Sequence, residues 1–149
     1  MTSTTQKSQL RLVVTPPRNC SADLPVSGVN LITDQHDNLL ERVRIALRGG
    51  VAVLQYRAKD KTYEACLSEG MALKQLCRDN NVLFIINDNL KLAHELDADG
   101  VHLGQDDGSP SEARNLLGQG KVIGVSTHNL DEALKAESDG ADYLGFGAM

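Results

Sequence analysis

The sequence has 149 residues, 41% hydrophobic and 23% charged, with a net charge of −5. That length suits one domain with a real core, and the acidic balance excludes general nucleic-acid binding, which needs a basic surplus against a phosphate backbone. The apolar runs fall far short of a membrane span, the N-terminus lacks a signal-peptide h-region, and three cysteines (Cys20, Cys66, Cys77) without CxxC spacing give no disulfide framework, so a reducing cytoplasm is the expected compartment.

Residues 1–28 read as a polar, flexible tail of unknown role. Residues 10–14 offer it a short strand that Pro16-Pro17 would end. From Val29 a repeating unit begins. Apolar strand runs start near Val29 (VNLIT), Val51 (VAVLQ), Val82 (VLFII), Gly100 (GVHL), Lys121 (KVIGV) and Asp142 (DYLGF). Amphipathic helices are expected between them. The first covers 38–47, stopped by Gly49-Gly50. The second runs from a Thr62 cap to about Asn80, with Cys66, Gly70, Leu73 and Cys77 as its inner stripe. In that stripe the cysteines read as small core residues and Gly70 as a close-packing position. A short helix follows over 90–96. Ser109-Pro110-Ser111-Glu112 then forms a capping box before a helix to Leu117, and Asn129-Leu130-Asp131-Glu132 repeats the logic before a helix to Ser138. Strands alternating with helices predict an α/β fold, a parallel sheet with helices outside it. Six such units are too few to close an eight-stranded barrel, which needs about 200 residues, so the pattern describes either a smaller open sheet or an incomplete barrel. A final open edge would also invite self-association.

In parallel sheets and barrels, ligands bind at the C-terminal ends of the strands. The residues there are informative. Asn87-Asp88 follows the third strand and Gln105-Asp106-Asp107 the fourth, and a short crossover helix makes those strands neighbours. Asp88 and Asp107 then form a carboxylate pair suited to a hard cation such as Mg²⁺ beside a phosphate. The plainer possibility is that both cap helices or stay solvated. After the second strand, Gln55, Arg57 and Lys59 fall on one side if the chain stays extended, which suits an anion. A solvated charged turn would read the same way. Ser126, Thr127 and His128 precede a helix N-terminus, where an anion is favoured, though the hydroxyls also suit capping alone. His102, inside a strand, reads as a hydrogen-bonded core residue. No His/Cys spacing supports zinc, and no glycine-rich nucleotide motif follows a strand. Taken together, cations, a carboxylate pair and hydroxyls at successive strand ends describe a site for a diphosphate–Mg²⁺ complex.

The motifs LITD (31–34), GGVAVLQYRAKD (49–60), FIINDN (84–89), DGVHLGQDD (99–107), VIGVSTHNLDEA (122–133) and GADYLGFG (140–147) resemble those of the thiamine-phosphate synthase family. The interval from Asp88 to Asp107 also equals that from Asp107 to Ser126. The resemblance implies a (β/α)8 TIM barrel that joins hydroxymethylpyrimidine diphosphate to a thiazole phosphate, yielding thiamine phosphate and pyrophosphate. It implies that Gln55, Tyr56, Arg57, Ala58 and Lys59 hold the pyrimidine and its diphosphate, with Arg57 and Lys59 on the phosphates. Asn87 would contact the diphosphate, Asp88 and Asp107 would bind Mg²⁺, and Ser126 would sit against the pyrimidine or the reacting centre, as both a binding and a catalytic residue. Tyr56 and Ala58 depart from what the family commonly carries between the matching Gln, Arg and Lys. The family's Thr- and Lys-containing loop after strand six would begin just past Met149, and its later glycine-rich loops hold the thiazole phosphate. The chain is therefore expected to be C-terminally incomplete, with little synthase activity of its own. Two alternatives stand beside this reading. One is the related thiazole tautomerase barrel, which need not keep the diphosphate and metal residues present here. The other is a non-catalytic remnant that binds a diphosphate–Mg ligand.

Overall fold

A computed structural model of the chain describes residues 28–147. The short strand expected at 10–14, Pro16-Pro17 and Cys20 lie outside the described residues. The elements follow strict alternation: β1 (Val29–Ile32), α1 (Leu39–Arg48), β2 (Val51–Tyr56), α2 (Tyr63–Asp79), β3 (Leu83–Asn87), α3 (Leu90–Glu95), β4 (Gly100–Leu103), α4 (Pro110–Leu117), β5 (Val122–Thr127), α5 (Leu130–Ser138) and β6 (Tyr143–Phe146). The strands pair in chain order, each parallel to the next. Parallel neighbours need a crossover, and each helix supplies one. The sheet curls into an open half-barrel, with β1 and β6 as its edges among the described residues.

Successive side chains of a strand point to opposite faces, and here both faces are covered. Leu54, Tyr56, Phe84, Ile86, Val101, Leu103 and Ile123 point outward into the main core, against Val43 of α1, Leu73 of α2 and Ala93 of α3. The alternate residues Val53, Ile85, Val122 and Tyr143 cluster on the concave side. Burial on both faces explains why Phe84-Ile85-Ile86 is apolar throughout, where a one-sided sheet would alternate. Each of these three side chains is at most 1% exposed, and burial of each contributes about 1.5–3 kcal/mol.

The helix stripe is as expected. Cys66, Gly70, Leu73 and Cys77 are the buried residues of α2, and both cysteines are unpaired thiols. A Cβ on Gly70 would sit 2.5 Å from Leu96 Cδ1, so a hydrogen there lets α2 lie close over the end of α3. At the opposite edge from the strand C-termini, two aspartates staple the sheet. Asp99 Oδ2 accepts from the Phe84 N–H at 2.8 Å. Asp142 Oδ2 accepts from the Ile123 N–H at 2.8 Å and from Arg114 Nη2 at 2.7 Å, tying α4 to β5 and β6. Among the described residues, no helix is long and apolar enough to cross a membrane.

Candidate functional site

The polar residues of the concave face gather at the C-terminal ends of β2 to β5. Register sets this arrangement. Gln55 lies opposite Ile85, Asn87 opposite His102, His102 opposite Gly124, and Ser126 opposite Gly145. Gln55 Oε1 accepts from Asn87 Nδ2 at 2.7 Å, joining β2 to β3. That bond uses one of the two amide hydrogens of Asn87.

Helix capping at this edge falls to residues other than the expected site groups. Asn89 caps α3 by accepting from the Leu92 N–H at 2.9 Å, Ser109 caps α4 in a complete capping box, and Asn129 caps α5 by accepting from the Glu132 N–H at 2.9 Å. Thr62 does the same for α2. Asp88, Asp107 and Ser126 therefore have no capping role. β5 also runs farther than its apolar pattern suggests, so that Ser126 and Thr127 are strand residues. Ser126 faces the concave side, while Thr127 is buried with its hydroxyl donating to the Gly145 carbonyl at 3.4 Å.

Asp88 and Asp107 come together over Gly104. Asp107 Oδ2 accepts from the Gly104 N–H at 3.0 Å. A Cβ on Gly104 would lie 2.6 Å from that oxygen and 3.9 Å from Asp88 Oδ1. Asp88 takes φ 64°, a left-handed conformation that Asp tolerates better than most residues, while its N–H donates to the His102 carbonyl at 2.8 Å. The chain thus turns sharply where β3 ends. Burial, then the neighbouring Asp107 charge, raises the Asp88 carboxyl above its usual range; Lys59 and Arg57 pull the other way. Lys59 Nζ lies 3.8 Å from Asp88 Oδ2, with its side chain 57% exposed, so this pair adds little to stability. Among the described residues, no cluster of three or more His, Cys, Asp or Glu forms. Two crowded carboxylates make an oxygen-only donor set. That set fits a cation that keeps its waters and shares a phosphate ligand, the habit of Mg²⁺.

The segment from 55 to 59 is divided. β2 stops at Tyr56, and Arg57 is held instead by Thr33, whose hydroxyl accepts from the Arg57 N–H at 2.9 Å and donates to its carbonyl at 3.3 Å. The extended run that would align Gln55, Arg57 and Lys59 therefore ends early, and Lys59 lies in a bend. The Arg57 and Lys59 charges still reach Asp88. Tyr56 points away from the site, 1% exposed, its hydroxyl donating to Glu69 at 2.7 Å beneath α2. Ala58 packs against the same core. For these two residues only the backbone is left to meet a ligand.

Beyond the predicted set, His102, Tyr143 and Gln105 belong to this site. His102, 5% exposed, is hydrogen-bonded within the core as its strand position suggests. Its Nε2 lies 2.8 Å from Ser126 Oγ and its Nδ1 2.9 Å from the Tyr143 hydroxyl. Gln105 Nε2 donates to the Ser126 carbonyl at 2.6 Å. For His102 the sequence held one signal: it shares strand parity with Gly100 and Gly104 on a concave face. Tyr143 carried none beyond its apolar run.

Comparison with known proteins gives a consistent result. A family model described as thiamine monophosphate synthase matches residues 29–149. The chain is 51% identical over 140 residues to the thiamine biosynthesis bifunctional protein of Geobacter sulfurreducens, covering 94% of this chain and 28% of that one. It is 47% identical over 122 residues to a thiamine-phosphate synthase of Clostridium perfringens, covering 80% of this chain and 59% of the relative. In structure it resembles a thiamine phosphate pyrophosphorylase from Pyrococcus furiosus, with a TM-score of 0.75 and 39% identity over 80% of this chain and 59% of that one. The chain thus spans less than two thirds of the length of these relatives.

Proposed function

Since the chain belongs to the thiamine monophosphate synthase family, we propose that it serves as a thiamine-phosphate synthase, a transferase of thiamine biosynthesis. It would couple hydroxymethylpyrimidine diphosphate with a thiazole phosphate, giving thiamine phosphate and pyrophosphate. The observation that carries this reading is the convergence of Asp88 and Asp107 over Gly104, with the charges of Arg57 and Lys59 acting on the same carboxylate.

In this reading Gln55 meets the pyrimidine, and Asn87 turns its second amide hydrogen to the diphosphate. Asp88 and Asp107 hold Mg²⁺, which when bound neutralises charge that grows on the departing diphosphate. Arg57 and Lys59 add fixed positive charge to the same oxygens. Ser126 holds the pyrimidine at the reacting centre. Carbon–oxygen cleavage leaves a cation on the pyrimidine methylene, and the thiazole nitrogen then attacks it. No covalent nucleophile is required of the protein, whose contribution is positioning. The partners are these two small molecules, and the implied compartment is the cytoplasm.

Binding is the appropriate test, because none of these residues is assigned to the thiazole phosphate. Calorimetric titration of the 149-residue chain with the pyrimidine diphosphate should give saturable binding that requires Mg²⁺ and is lost in Asp88→Asn. Absence of binding by a cooperatively folded chain, with Mg²⁺ present, would overturn the reading.

A further inference from the structure

Three concave-face residues from consecutive strands form one hydrogen-bonded line: Tyr143 on β6, His102 on β4 and Ser126 on β5. We infer that Tyr143 and His102 are positioning residues that fix the Ser126 hydroxyl as a hydrogen-bond donor toward the ligand. The inference rests on the proposed function for the ligand's identity, while the direction of the line follows from hydrogen-bond chemistry.

The geometry leaves little freedom. The Tyr143 ring fills space opened by Gly124, where any Cβ would run into it. Its centroid lies 5.4 Å from that of His102, the planes tilted by 41°. On the other side, a Cβ on Gly145 would stand 3.2 Å from His102 Cε1, so bare backbone lets the imidazole settle against β6. The Ser126 carbonyl is held by Gln105, which fixes the residue from its backbone side.

Protons then decide the polarity. Tyr143 is buried, and burial pushes its phenol well above the ordinary range, so it keeps its proton. Among the described residues, the hydrogen bond its hydroxyl makes is to His102 Nδ1. If Nδ1 carried a hydrogen, in either the other tautomer or the imidazolium, the phenol would accept and its own buried hydrogen would have no acceptor among the described residues, an expensive arrangement. Tyr143 therefore donates, and Nδ1 is the unprotonated nitrogen. The ring hydrogen of the neutral imidazole then resides on Nε2, which donates to Ser126 Oγ at 2.8 Å. With its oxygen accepting from the ring, Ser126 has its own hydrogen to give. That hydrogen suits an acceptor atom of the pyrimidine, such as a ring nitrogen, and a substituent that is itself a donor would be rejected at that position.

Side-chain ¹⁵N NMR of the ligand-free 149-residue chain reads the tautomer directly. His102 should show an unprotonated Nδ1 and a protonated Nε2. Tyr143→Phe should relax that preference and weaken pyrimidine diphosphate binding by about fivefold to tenfold, the loss of one oriented hydrogen bond. Affinity for Mg²⁺–pyrophosphate, which lacks the ring, should stay within about twofold, whereas a general loosening of the barrel would weaken both ligands alike. Ser126→Ala should keep the tautomer and show the same selective loss. A wild-type ring protonated at Nδ1, or equal loss for both ligands in Tyr143→Phe, would overturn the inference. If the wild-type chain binds no pyrimidine diphosphate yet shows the expected tautomer, the functional reading fails and the hydrogen-bond direction stands.

Discussion

Gly104→Ala separates the candidate site from the fold. An alanine Cβ there would lie 2.6 Å from Asp107 Oδ2, the oxygen that accepts the Gly104 N–H at 3.0 Å. Backbone strain is not at issue, since Gly104 is absent from the positive-φ residues. The obstructed atom is the end of a side chain, so Asp107 can yield by rotating its carboxylate away. That rotation forfeits a charge-assisted hydrogen bond of about 1.5–3 kcal/mol in a favourable setting. It also withdraws an oxygen from the point shared with Asp88. Half of that loss appearing in ligand binding corresponds to about fourfold to twelvefold in Kd. Reduced backbone freedom of the unfolded chain offsets part of the loss in stability, by about 0.4–1 kcal/mol. Calorimetric titration with Mg²⁺ and pyrimidine diphosphate, run beside thermal unfolding of the ligand-free protein, should show weakened binding by a chain that still unfolds cooperatively, its Tm lowered by roughly 2–10 °C for the net cost of those two effects. Affinity within about twofold of the parent would refute the assignment of Gly104 as the seat of the carboxylate pair.

Other substitutions test different links. Asp88 holds its proton more tightly folded than unfolded, so its contribution to stability is present below the ordinary carboxylate range and lost as pH rises through the raised folded value. Asp88→Asn should therefore raise the Tm of the ligand-free protein at pH 7 and abolish the Tm gain from Mg²⁺; a fall in Tm without Mg²⁺ would contradict this. In the parent protein, the Mg²⁺-dependent gain should itself shrink as acid protonates Asp88. Asp142→Ala strips a partner from both the Arg114 guanidinium and the Ile123 N–H. Urea unfolding should show a loss of about 2–4 kcal/mol, and a loss below about 1 kcal/mol would refute the staple. Tyr56→Phe removes a hydroxyl that donates to Glu69 beneath α2. Its effect should fall on stability, by about 1 kcal/mol, and a large selective loss of ligand binding would contradict the outward placement of that ring.

Much of this architecture is legible from periodicity alone. Continuous apolar runs such as Phe84-Ile85-Ile86, separated by helix-spaced stripes, dictate parallel strands buried on both faces, and the Ser109 capping box marks a helix start that the structure reproduces. Strand ends are less legible, because an apolar pattern stops before the hydrogen-bond ladder does. The ladder of β5 continues through polar Ser126 and Thr127, whereas that of β2 gives way at Arg57 to the side chain of Thr33. The first difference moves Ser126 from a loop into the concave face. The second breaks the simple alternation expected of Gln55, Arg57 and Lys59. A side chain that replaces a backbone partner leaves no periodic trace.

What local sequence left undecided was whether each polar strand-end residue caps a helix or meets a ligand. The sequence offers a second polar residue at each helix start, and the structure gives the cap to that one. Asn89 stands beside Asp88, Ser109 two positions beyond Asp107, and Asn129 beyond Ser126, and in each case the later residue makes the capping bond. An N-cap needs extended backbone just before the first helical turn, with its side chain folded back onto that turn. Asp88, in a left-handed conformation at φ 64°, lacks that backbone, and Ser126 is still paired in β5. Geometry thus denies the capping role to the residues at the strand ends and gives it to their neighbours. Two carboxylates and a hydroxyl are thereby freed from capping at a partly buried edge, where Asp107 accepts from the Gly104 N–H and Ser126 Oγ meets His102, and the proposed diphosphate–Mg²⁺ complex is a ligand that would use all three.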